Sequence, residues 1–193
     1  MAKARNLGLS AASWGGLKVD SMKRLLLLAA LCGITAASIC AQSPAGDDPW
    51  LSRMVGHWVL EGRIAGKDTT HDVDGEWVLN RLYVRLHEVS REKDTKGRPA
   101  YEAIVYVTRD ATPGEYAALW LDNTASGAFS AEGTGHAKPE GESLPFVFKD
   151  GQGAISFKNT FVFDPASRTW AWVMDNVDKG VPKPFGRVKL RTR

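Results

Sequence analysis

Cysteine is nearly missing from this chain of 193 residues. Its two cysteines, Cys32 and Cys40, both fall within the first 41 positions. Everything after them must fold without a disulfide, although small exported domains often depend on one. About 150 residues can bury a core without such a staple. Charge of one sign is also lacking. Of the 25 Lys and Arg and the 22 Asp and Glu, residues 1–41 hold five (Lys3, Arg5, Lys18, Lys23, Arg24) and one (Asp20), leaving 20 basic and 21 acidic residues beyond. The apparent net charge of +3 is a property of the N-terminal stretch, and the remainder is close to neutral. A nucleic-acid-binding domain should carry a basic patch, so nucleic acid is not an expected partner.

Catalytic fingerprints are lacking too. There is no GxSxG elbow, no P-loop and no dinucleotide-binding glycine motif. Ser, His and Asp occur without spacing that would align them, so binding without catalysis is the first expectation; the alternatives are an enzyme acting on the ligand inside the barrel and a filled barrel serving as an envelope interaction module. Metal-ligand spacing is missing as well. His136 has no second His or Cys near it, and His71-Asp72-Val73-Asp74-Gly75-Glu76 lacks the spaced oxygens and final Glu of a calcium loop. That segment reads as a hairpin end bearing surface charge, and no metal or other cofactor is expected.

What the N-terminus does contain is an export pattern. Met22-Lys23-Arg24 precedes LLLLAALCGITAASICA, a charged segment followed by an apolar one and a small residue at Ala41. Residues 22–41 are read as a signal peptide within a leader 1–41, with Met22 a candidate initiator, so the product should be periplasmic. Leu31 and Ile39 stand where lipid attachment at Cys32 or Cys40 would need a small residue. The apolar run is short for the ~20 residues that span a bilayer, so no stable membrane insertion is expected after cleavage.

Residues 42–48, QSPAGDD, form a linker to the domain 49–193. Asp48 suits the cap of a helix and Pro49 its first position. Trp50, Leu51 and Met54 share a side at helical spacing, and Gly56 should end this short helix. The period then becomes two. VLEGRIA, THDVDGEWVL, LYVRLHEVSR, YEAIVYVTR, YAALWLD, AFSAEGTGHA, LPFVFK, AISFKNTFVF, TWAWVMD and RVKLRT are predicted strands, with turn residues between neighbours and NVDKGVPKPFG as a longer loop. DGQG between two of them is a strong hairpin signal.

About nine or ten consecutive antiparallel strands protect their edges by closing into an up-and-down barrel. A β-sandwich is the rival, and no long crossover points to it.

In LYVRLHEVSR two faces compete for the interior. Tyr83, Arg85 and His87 would make a polar wall for a ligand head group, whereas Leu82, Val84 and Leu86 would make ordinary core, which is the expected arrangement. Large aromatics recur at alternate positions, among them Trp77, Trp120, Trp170 and Trp172, with Phe146, Phe148, Phe157, Phe161 and Phe163. Most are core, but a barrel of this size has room for some to line a pocket. Candidate ligand-binding residues are Trp77, Tyr83, Arg85, His87, Trp120, Trp170 and Trp172, for a small apolar or amphipathic molecule. His57, between Gly56 and Trp58, should face solvent because strand neighbours point to opposite sides.

The stretch MVGHWVLEG, with Gly56-x-Trp58 after a short helix, then GEWVLNRLYVRLHE, then YEAIVYVTRD and LWLDN, resembles the bacterial DUF1579 domain of unknown function, a lipocalin-like barrel of the calycin group. The resemblance covers about residues 51–193. It implies that Gly56 and Trp58 are structural, that Trp58 packs across a closed barrel end, and that a late cation stacks over it, with Arg187, Lys189 and Arg191 as candidates. Nitrobindin-type relatives hold haem through a late His. This chain has none after His136, so haem is disfavoured, with only His136 or His87 left as improvised ligands.

Overall fold

The computed structural model describes residues 48–125, 127 and 129–193. The expected leader, signal peptide and nearly all of the linker lie outside the described residues.

The described chain opens with helix α1 (Pro49–Met54). Asp48 caps it, its carboxylate accepting from the backbone N–H of Trp50 at 2.9 Å and of Leu51 at 3.1 Å. Trp50, Leu51 and Met54 are its buried face. The chain leaves the helix through Gly56, whose φ of +140° is one that side-chain-bearing residues rarely adopt.

Ten strands follow: β1 (Gly56–Ile64), β2 (Lys67–Val78), β3 (Tyr83–Ser90), β4 (Glu102–Arg109), β5 (Tyr116–Asp122), β6 (Thr134–Ala137), β7 (Ser143–Lys149), β8 (Ile155–Asp164), β9 (Thr169–Asp178) and β10 (Val181–Thr192). Each pairs antiparallel with its sequence neighbours, and β1 pairs with β10, Leu60 opposite Leu190, so the sheet closes. This is the lipocalin-like up-and-down barrel with a short helix that the consecutive hairpins predict. No sheet edge is left along the closed ladder, which removes the hazard of exposed strand edges.

Two elements differ from expectation. β6 begins only at Thr134, and Ala131–Gly133 form a 3-10 turn. Glycines at 127, 133 and 135 weaken strand character there. NVDKGVPKPFG is largely strand and not loop. The β9–β10 hairpin turns at Lys179 and Gly180, both with positive φ, and Pro182 and Pro184 pair opposite Val177 and Asp175. The nitrogens of both prolines point away from β9, and β1 pairs with β10 only from Gly186 onward, so no ladder bond is lost.

Period two decides what faces inward. In β3, Val84, Leu86, Glu88 and Ser90 are buried. Leu82 precedes the strand and is 46 % exposed, so it does not join Val84 and Leu86 inside.

α1 covers the barrel end at which β1 begins. Trp58 Nε1 and Trp170 Nε1 donate to the carbonyls of Met54 and Arg53 at 3.1 and 3.3 Å. The Met54 carbonyl lies where a side chain on Gly75 would stand, 2.1 Å from the position of a Cβ. Only glycine on β2 lets the helix end seat so closely. Asp48 also accepts from Arg109 Nε at 2.8 Å and from Tyr116 Oη at 2.9 Å, tying the helix start to β4 and β5. Beneath the helix, Trp58, Val73, Leu86, Phe161, Trp170 and Leu190 are among the walls of a void of about 10 Å³. That is room for one water at most, so the closed half of the barrel is filled.

Candidate functional site

The other half of the barrel, around the starts of β2, β4 and β8, has a different interior. Five polar residues are buried among those described: Asp48, His71, Glu88, Ser90 and Asn159. Asp48 belongs to the helix; of the other four, strand order places His71, Glu88 and Ser90 in this half, away from α1, and Asn159 in the middle of β8. Polar groups cost free energy to bury unless they are paired, so the confinement of the first three to one half sets it apart from the aromatic core beneath α1.

His71 and Glu88 face each other from β2 and β3, with side chains 4 % and 3 % exposed and a direct contact between His71 Nδ1 and Glu88 Oε1. The other ring nitrogen, Nε2, lies 2.7 Å from Thr69 Oγ1. Thr69 donates in turn to Glu92 Oε2 at 3.2 Å, while Glu92 Oε1 accepts the Thr70 N–H at 2.9 Å. A hydrogen-bonded chain therefore runs from interior Glu88 to Glu92 in an open groove that Thr69, Arg63 and Glu61 also line.

The Tyr101 ring stacks on His71 at 5.6 Å, and its hydroxyl accepts from Trp120 Nε1 at 2.9 Å. Burial, followed by the charge of Glu88, pushes the Tyr101 phenol well above its ordinary range, so it stays protonated. Trp120 meets Trp172 edge-on at 6.2 Å.

Glu88, His71 and Thr69 have the carboxylate, imidazole and hydroxyl order that activates a nucleophile. The second bond of Thr69 decides otherwise. Burial acts to raise the Glu92 carboxyl, but the backbone N–H groups of Glu92 and Thr70 and the Thr69 hydroxyl outweigh it and hold it below its ordinary 4.5. An ionised Glu92 can only accept. The single Thr69 proton is therefore directed to Glu92, and His71 Nε2 donates to Thr69 Oγ1. A hydroxyl committed in that sense is not being deprotonated by His71, and the chain orients His71 without activating Thr69.

Asn159 is the exception to this pairing. It shares a face of β8 with Phe161 and Phe163, is 1 % exposed, and neither its Oδ1 nor its Nδ2 has a hydrogen-bond partner. Its register neighbours are Phe146 on β7 and Met174 on β9, which offer no strong polar group. An unmade buried hydrogen bond costs about 1–3 kcal/mol.

The expected site residues are dispersed. Trp120 lies in the half away from α1. Trp172 packs between Trp120 and Phe161, and Trp170 lies under the helix. Trp77 is half-buried, with the Arg81 guanidinium 5.2 Å from its ring centre. Tyr83, Arg85 and His87 alternate with the buried residues of β3 and face outward, so they form no interior polar wall. Arg85 pairs there with Glu76, and His87 Nε2 lies 2.8 Å from Glu102.

Arg187, Lys189 and Arg191 are exposed and alternate with buried Val188 and Leu190, so none stacks on Trp58. Arg187 instead donates to Asp175 and to the Met174 carbonyl, both at 2.5 Å. A cation that does stack near the closed end is Arg53, 4.7 Å from the Phe163 ring centre and 5.4 Å from that of Trp50. His57 and His136 are exposed, each 2.5 Å from a carboxylate, Asp74 and Asp110.

His71 is the correction with most consequence, because it lies in the interior and not on a charged hairpin end. Its signal was present in the sequence: His71, Val73 and Gly75 share one parity, as do Val84, Leu86 and Glu88. Asn159 likewise shares parity with Phe161 and Phe163.

Among the described residues no three His, Cys, Asp or Glu side chains gather in a way that could hold a metal ion. A comparison with protein-family models gives no match for this chain, and a comparison with the curated proteins gives none either.

Proposed function

We propose that this is an exported, lipocalin-like binding barrel that takes a small amphipathic molecule into the half away from α1 without chemical turnover. The observation that carries the reading is the division of the interior, in which His71, Glu88 and Ser90 occupy one half and the packed aromatic core the other. A barrel that served only as a scaffold would gain by filling both halves with apolar residues, since buried ion pairs seldom improve stability over them. Half-buried Trp120, Phe157 and Phe185 supply apolar surface next to the polar groups, as binding sites generally do. The ordered motifs that resemble the DUF1579 domain support the same fold-level reading, and the charged and apolar pattern of residues 22–41 supports export to the periplasm.

Native mass spectrometry of protein purified from the periplasm tests the proposal. A retained small molecule, released on denaturation, is the expected result. No retained mass, together with no change in tryptophan fluorescence on adding amphipathic probes, would overturn it. N-terminal sequencing of the same sample should find the chain starting near residue 42.

A further inference from the structure

We infer that the tip of the β2–β3 hairpin is a lipid-contacting surface, and that the barrel rests reversibly on a phospholipid bilayer through the end that α1 covers. The inference is independent of the binding function proposed above. The tip reads Trp77-Val78-Leu79-Asn80-Arg81-Leu82-Tyr83, with the turn at 79–82. Residues 76–78 carry the hairpin past the first residue of β1, which stands opposite Gly75. Every other connection between neighbouring strands contains Gly or Pro, whereas this one has neither. Leu79 is 66 % and Leu82 46 % exposed, and neither joins the core. Leu79, Asn80 and Arg81 take φ of +50°, +56° and +62° in succession, a region that residues with a Cβ enter at a cost. A polar turn built on glycine would avoid both that cost and the exposure of two leucines. Strain retained together with exposed apolar side chains marks a contact surface.

The chemistry of the tip selects a bilayer. Trp77 is half-buried with the Arg81 guanidinium 5.2 Å from its ring centre, and Tyr83 is half-buried beyond the turn. Aromatic rings beside an arginine suit the headgroup level, with leucines reaching the acyl boundary. From 77 to 83 the one charge in the sequence is that of Arg81, which complements phospholipid phosphates. The chain also enters the barrel at this end. Asp48 bonds to Arg109, which follows Thr108, and the Thr108 hydroxyl donates to the Leu82 carbonyl at 2.8 Å. Residues 42–47 join Asp48 to the apolar run read as an export signal, so a chain still held by that signal is tethered by this end.

The test is binding of the exported protein to vesicles of phosphatidylethanolamine and phosphatidylglycerol, read by cosedimentation. Leu79→Ser with Leu82→Ser should weaken vesicle binding at least about tenfold, while the urea midpoint stays at or above that of the parent. Beyond residue 41 the chain has no cysteine. An environment-sensitive dye can therefore be placed at Leu79→Cys or, at the opposite end of the barrel, at Gln152→Cys. Its emission should move to the blue with vesicles at position 79 and stay unchanged at 152.

A parent that does not sediment with vesicles, a double variant that binds as the parent does, or a dye at 79 that does not respond overturns the inference. A lipid-free dimer that the double variant abolishes also overturns it, because the tip would then serve a second copy of this chain. A lower urea midpoint in the double variant assigns the leucines to the fold and overturns it likewise. None of these outcomes bears on the retained-ligand measurement, which decides the binding function separately.

Discussion

His71 on β2 and Glu88 on β3 meet inside the barrel, both almost wholly removed from solvent, with His71 Nδ1 in direct contact with Glu88 Oε1. In the antiparallel register His71 stands opposite Ser90 and Val73 opposite Glu88, so the two partners contact along a diagonal of the sheet. Removing one partner leaves the other buried and uncompensated. His71→Leu should therefore lower unfolding stability by about 3–5 kcal/mol, and His71→Leu with Glu88→Met should recover most of the loss. Urea denaturation of the two variants decides the point, and a single variant as stable as the parent would show that the pair is not coupled to folding.

Trp58 and His57 are adjacent in β1 but face opposite ways. Trp58 packs among Met54, Phe161 and Trp170 and donates to Met54, so Trp58→Ala should cost about 3–5 kcal/mol. His57→Ala, at an exposed site, should stay within about 0.5 kcal/mol. Equal effects of the two substitutions would refute the assignment of Trp58 to the plug.

Gly75 gives the helix end its seat. A methyl group there would stand 2.1 Å from the Met54 carbonyl oxygen, so Gly75→Ala should displace α1 and cost about 1–3 kcal/mol. Amide exchange should rise in residues 50–54 before it rises in the strands, and an exchange pattern unchanged from the parent would argue against the close seat.

Glu92 supplies a pH dependence. Its carboxyl titrates below the ordinary 4.5 in the folded protein. A folded value depressed in this way contributes stability that is present above the unfolded value and is lost as pH falls through the folded one. Glu92→Gln should therefore lower Tm at pH 7, with the gap to the parent closing as pH drops below 4.5. A gap that stays constant across the titration would exclude the bonds to Thr69 and Thr70 as its source.

Local sequence features made much of this molecule readable. Asp48-Pro49 announces the helix start, Gly56 its end, and DGQG the β7–β8 hairpin, because capping and turn geometry depend on a few adjacent residues. The β9–β10 hairpin was harder to recognise. Two prolines normally argue against a strand, and only the pairing limits of β1 show that their missing N–H groups fall on an unpaired side. The interior histidine was hidden for a related reason. Asp72 and Asp74 flank His71 and face outward, so a linear reading sees a run of surface charge, while its partner Glu88 is seventeen residues away across a hairpin.

The sequence by itself determined the class of fold: apolar residues at alternate positions, interrupted by turn residues, can bury one face only in a sheet, and consecutive antiparallel hairpins lead to a closed barrel. Tertiary structure alone decided how the interior is shared out. Period two says which residues look inward together, but not at what height around a tilted barrel they meet. That height depends on the register of every strand pair and on the closure of β1 against β10. It places Trp58 under the helix, His71 against Glu88, and Asn159 among aromatic rings with its amide unanswered.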